Sequence, residues 1–128
     1  MAYKSINHAE HNKSVCDHLI ENTEFHDWVI TTAFYAAIHF LRHYLFPLEE
    51  GGKTFNTFDD YCGSNKIYRN KHSQMRKLVE EHAHHTIAST YNQMLDICWS
   101  ARYSQYKFSA EIAGLARRRL NHIENNCK

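Results

Sequence analysis

The run 27–45 contains neither Gly nor Pro and is apolar on more than one side. Ile30, Phe34, Ala37, Leu41 and Leu45 recur at spacings of three and four, which makes one helical stripe. Trp28, Thr32, Tyr35, His39, Arg42 and Phe46 form a second stripe beside it, aromatic and polar. A helix apolar nearly all round belongs inside a bundle, with neighbours on several sides, and Ala33, Ala36 and Ala37 allow those neighbours to approach closely. The pattern predicts that 28–45 is the most buried helix, with Trp28 and Phe34 in the core. Packing alone gives little reason to set Tyr35, His39 and Arg42 a turn apart on one face, so that face is the first place to look for chemistry. A second account of His39 and Arg42 is an edge position, hydrogen-bonded or reaching to water.

At 128 residues the chain suits a single domain, 1–128, with one core. Only one Pro and four Gly occur, which leaves most of it free to be helical. A net charge of +1 gives no bulk electrostatic case for nucleic acid or a membrane surface, although eleven histidines would add charge near pH 6. No apolar run approaches the ~20 residues of a membrane span. Cys16, Cys62, Cys98 and Cys127 show no C-x-x-C spacing, so reduced thiols and a cytoplasmic location are expected, with Cys16 and Cys98 packed as small hydrophobes.

A first helix is predicted over 5–22, capped by Ser5 or Asn7, with Ala9, Asn12, Cys16, Leu19 and Ile20 inward. The break at Asn22-Thr23-Glu24 leads into the central helix. Residues 46–64 read as the one long irregular piece, with Phe55, Phe58 and Tyr61 spaced so that a short turn of helix pins it to the bundle. A third helix is expected over 67–84, with Met75, Leu78, Val79 and His82 inward and Arg69, Lys71, Arg76 and Lys77 bringing positive charge. A fourth covers 86–108 on a stripe of Ile87, Tyr91, Met94, Leu95, Cys98 and Ala101. Ser109 then offers an N-cap to a last helix over 110–125, with Ile112, Leu115, Ala116, Leu120 and Ile123 inward and Arg117, Arg118 and Arg119 mostly in solvent. No strand pattern competes. The expected class is all-α, an antiparallel bundle of four or five helices without a sheet.

The central Phe34-Tyr35-Ala36-Ala37-Ile38-His39 resembles the first long core helix of HEPN domains (higher eukaryotes and prokaryotes nucleotide-binding). His72-Ser-Gln-Met-Arg76, Tyr91-Asn-Gln-Met-Leu95 and Ser100-Ala-Arg-Tyr103 resemble the later parts of short bacterial HEPN-like proteins, so that the likeness covers roughly 8–123. It implies a helical bundle that commonly forms a homodimer. It also implies either a metal-independent endoribonuclease of toxin or defence type, acting at the dimer interface without cofactor, or a non-catalytic nucleotide- or protein-binding module partnering a nucleotidyltransferase or antitoxin. The family signature, an Arg followed by His after four to six residues, is matched by Arg76 with His82 and by Arg117 with His122. The family usually has a polar residue directly after that Arg; here Lys77 or Arg118 follows, a departure that bears on activity.

Cleavage of RNA without metal needs a base for the 2′-hydroxyl, an acid for the leaving oxygen and a cation for the phosphorane. The candidate site is His39, His72, Arg76 and Arg102: His72 and Arg76 lie one turn apart, Arg102 reaches in from the next helix, and His39 faces both. The competing account pairs Arg102 with Asp27 or Asp96 and leaves His72 exposed. A further alternative is metal binding through His39 and His43, with His82 and His84 or His85 from a neighbouring helix.

Overall fold

The computed structural model describes residues 4–22, 24–64 and 70–127. Among these, the chain is mostly helical, in the order α1 (Ser5–Asn22), α2 (His26–Leu45), β1 (Leu48–Glu50), β2 (Lys53–Phe55), α3 (Phe58–Ser64), α4 (Lys71–His82), α5 (His85–Tyr103) and α6 (Ala110–Cys127). None of the helices in the described residues is long and apolar enough to cross a membrane.

Helix α2 is the centre, as its two stripes demand. It buries Ile30, Phe34, Ala37, Leu41 and Leu45 from the apolar stripe, and Val29, Ala33, Ala36 and Phe40 besides. It packs against α1, α6, α5 and α4. Its alanines admit α1 closely enough for the Cys16 thiol to donate to the Val29 carbonyl at 3.6 Å. His8 meets His39 and Cys16 meets Val29, so α1 and α2 run in opposite directions. Two ion pairs hold α6 on α1: Lys13 with the buried Glu124 at 2.9 Å, and Arg117 with Asp17. Arg117 is therefore half-buried and paired, where the sequence placed it in solvent. Cys16, Cys98 and Cys127 are buried and Cys62 half-buried, all as free thiols.

Trp28 lies outside the core, 56% exposed. It shares the polar, aromatic stripe of α2 with Thr32, Tyr35 and Arg42, none of which is fully buried. Ile112 and His82, also expected inward, are exposed.

Residues 46–64 are more ordered than expected and include a small sheet. Leu48, Glu49 and Glu50 pair antiparallel with Phe55, Thr54 and Lys53. The two-residue turn between them needs positive φ at both positions, supplied by Gly51 at 61° and Gly52 at 77°. Phe55, Phe58 and Tyr61 are the anchors the spacing suggested: all three are buried, and the Tyr61 ring stands edge-on to Phe55 and Phe46.

The third helix is shorter than 67–84. It begins at Lys71, where the Asn70 side chain accepts from Ser73 N–H, and ends at His82; the expected start at Ile67, and Arg69, lie outside the described residues, as does Thr23. Met75, Leu78 and Val79 face inward, with Gln74 beside them. The fourth helix stops at Tyr103, five residues before its expected end at Phe108. Ser109 caps α6 as expected, its hydroxyl accepting from Ile112 N–H at 3.2 Å.

Candidate functional site

Helices α2, α4 and α5 border a surface on which the polar stripe of α2 emerges. Thr31 and Cys98, Phe34 and Tyr91, and Tyr35 and Arg102 are neighbours across α2 and α5. Helix α4 lies against α5, with Asn92 donating to Glu80 at 3.3 Å. His72, in the first turn of α4, stands between the other two helices, its ring centroid 6.3 Å from that of Phe34.

Three shallow depressions meet at His72. The first, about 230 Å³, is lined by Phe34, Tyr35, His72, Leu95, Cys98, Trp99, Arg102 and Tyr103. The Arg102 guanidinium donates to the Tyr35 hydroxyl and lies over the rings of Tyr35 and Tyr103, at 5.5 and 5.2 Å. Trp99 and Tyr103, one turn apart on α5, are exposed with ring centroids 5.4 Å apart, so the depression has an aromatic wall and a cationic floor. Neither Asp27 nor Asp96 pairs with Arg102, and among the described residues no carboxylate lies within ion-pair distance of it.

The second depression, about 210 Å³, is lined by Tyr35, Ile38, His39, Arg42, Lys71, His72, Met75 and Tyr91. Two cationic side chains border it, and one of them, Lys71, is already paired with Asp59 at 3.0 Å, which leaves Arg42 as the cation without a carboxylate partner among the described residues. The Arg42 guanidinium lies over the Phe58 ring at 4.4 Å, and its buried Nε makes no hydrogen bond among the described residues. The hydroxyl of the fully buried Tyr91 is likewise unmatched. Buried donors of this kind, one of them cationic, are costly to leave unpaired and suit an anion. His39 closes the inner wall, stacked on His8 with centroids 3.7 Å apart. Burial first, then His8 and Arg42, lower its pKa to about 4, so it is neutral at physiological pH.

The third, about 260 Å³, includes Asn70, His72, Ser73, Arg76, Asp96 and Trp99. Arg76 here faces Glu80 at 3.5 Å in an i,i+4 pair on the outer side of α4.

The four residues singled out in the sequence therefore do not share one cavity. Each of His39, Arg76 and Arg102 borders a different depression, and His72 borders all three. His72 is exposed at its edge, yet partial burial, then Arg102 and Arg42, hold its pKa below the ordinary histidine value. Tyr91, Trp99 and Lys71 were not among the candidates. Trp99 precedes Tyr103 by one turn, and that spacing was the signal; the unmatched Tyr91 hydroxyl is visible only in three dimensions. Arg42 had been marked by its place on the stripe with Tyr35 and His39.

Of the histidines considered for metal, His39 and His84 contact other side chains. His39 stacks on His8, and His84 caps α5, its ring accepting from Thr86 N–H at 3.2 Å and lying tilted against His85 with centroids 4.2 Å apart. His82 instead lies near Glu50 and Glu81.

The chain matches no family model, and neither the curated proteins nor the solved structures contain a match to it.

Proposed function

We propose that this chain is a HEPN-like helical bundle that binds the phosphate of RNA or of a nucleotide in the groove between α2, α4 and α5. The observation that carries the reading is the meeting, at His72, of a depression holding the unmatched Arg42 Nε and Tyr91 hydroxyl with an aromatic one holding Arg102. Arg42 and the Tyr91 hydroxyl offer donors for phosphate oxygens, and the Arg102 fork offers a second grip in the adjoining depression, past Tyr35. Exposed Trp99 and Tyr103 supply faces on which an unpaired base stacks, beside the Arg102 and Arg42 guanidinium groups that would meet its backbone.

Metal-independent RNA cleavage is the second reading, and the lowered pKa of His72 favours it. A neutral imidazole beside two arginines is a base for the 2′-hydroxyl, and Arg102 is placed to stabilise the charge on the phosphorane. One copy supplies one such imidazole, so protonation of the leaving oxygen falls to the His72 of a second copy in a two-fold homodimer. A nucleotidyltransferase or antitoxin-like protein is the partner this reading implies.

The test is fluorescence anisotropy with a labelled single-stranded RNA and with a labelled nucleotide, together with a cleavage assay in chelator. Binding that Arg102→Ala abolishes supports the site. RNA and nucleotide that bind wild type and Arg102→Ala equally, or not at all, overturn it. Cleavage lost in His72→Ala separates the enzyme from the binding module.

A further inference from the structure

The small hairpin and the end of α4 bring together three side chains that the proposed function leaves unused. Strand alternation puts Glu50 on the same face of β1 as the buried Leu48, turned toward the body of the protein. Glu81 and His82 close the last turn of α4. One ligating atom from each of Glu50, Glu81 and His82 lies within 4.8 Å of the other two. The His82 Nε2 is 3.7 Å from a Glu50 oxygen and 3.9 Å from a Glu81 oxygen.

Those separations are long for hydrogen bonds, which cluster at about 2.7–3.2 Å. They approach the roughly 3.4 Å between ligand atoms around a tetrahedral ion with bonds of about 2.1 Å. Glu81 divides its two oxygens: Oε1 faces Lys77 at 3.5 Å, and Oε2 faces His82. The last turn of a helix also favours positive charge, because its final carbonyls point outward there.

We propose that Glu50, Glu81 and His82 bind a divalent transition-metal ion of zinc type, with water completing the coordination. One imidazole and two carboxylates make a donor set suited to such an ion, and three protein ligands leave a position open. The ion ties the hairpin to α4 and so fixes the one non-helical segment among the described residues that carries a sheet. His82 lies ten residues, about 15 Å along the helix axis, from His72, so this site is separate from the phosphate groove.

The experiment uses the full chain without a His tag, stripped with chelator, and titrated calorimetrically with Zn²⁺. Wild type is compared with Glu50→Gln, His82→Ala and the surface control His43→Ala. The expected result is one zinc site whose affinity falls at least tenfold in Glu50→Gln and His82→Ala and is unchanged in His43→Ala. Zinc should raise the melting temperature of wild type and not of the two site variants, and Co²⁺ should give a ligand-field band that His82→Ala lacks. Circular dichroism of Glu50→Gln, a half-buried near-isosteric change, checks that the fold is retained. Zinc binding of equal strength in all four proteins means an adventitious ion only and overturns the proposal, as does the absence of binding.

Discussion

Arg102 of α5 donates a hydrogen bond to the Tyr35 hydroxyl of α2 while lying over the Tyr35 and Tyr103 rings. Its partners are neutral, so the guanidinium keeps an unneutralised charge at the groove, oriented before any ligand arrives. Tyr35→Phe leaves the ring and removes the anchor. RNA or nucleotide affinity should fall by up to about tenfold, on the scale of one hydrogen bond to a charged group, with little change in melting temperature. Anisotropy titration of the variant checks this.

The two arginines named with His72 should differ. Arg76 is held by Glu80 on the exposed side of α4, whereas Arg102 faces the aromatic depression. Arg102→Ala should weaken phosphate binding at least tenfold and Arg76→Ala by only a few-fold, both with the helical signal intact. Equal losses in the two variants would move the centre of the site to the Arg76 side of His72.

Core and surface aromatics of α2 are separable by stability. Phe34 is 2% exposed and packed against Tyr91, so Phe34→Ala should cost about 3–5 kcal/mol. Trp28→Ala, at an exposed position, should stay within about 1 kcal/mol. Urea unfolding of the two variants measures the contrast.

The helices were legible because their signals are local. The 3.6-residue apolar rhythm gave α2 and its buried partners, and Ser109 marked the start of α6. Trp28 was misplaced because stripe membership says which way a side chain points and not whether another element covers it there. The hairpin was missed because each strand has only three residues, too short for alternation to register; the Gly51-Gly52 pair was the clue, and its meaning depends on turn geometry. For the site, i,i+4 spacing located His72 with Arg76, yet could not show that Arg76 turns toward Glu80. The environments of Arg42 and Tyr91 are set by α2, α3 and α5 together, and no spacing within one helix encodes that.

His39 makes stability pH-dependent in a definite direction. Its folded pKa of about 4 lies below the unfolded value of 6.5. As pH falls through 6.5 the unfolded chain takes up a proton that the folded chain refuses until about pH 4, so the stability present near neutrality is lost across that window. At ~1.4 kcal/mol per pH unit the loss amounts to roughly 3 kcal/mol at most. Urea unfolding at several pH values should show the decline, and His39→Leu should remove this part of the slope.

The buried thiols give the molecule a means of timing its own opening. Burial raises the pKa of Cys98 and of Cys127 to about 11 and pushes those of Cys16 and the half-buried Cys62 up as well. All four thiols are protonated at neutral pH, so access decides: a thiol reagent should label the half-buried Cys62 first and reach the other three only when α1, α5 or α6 comes away. Because each of those helices carries one silent thiol, peptide mapping after brief alkylation should show whether they detach together or in sequence, with no reporter group added. Labelling of all four at one rate in the native protein would mean that the core exchanges with solvent far faster than its packing implies.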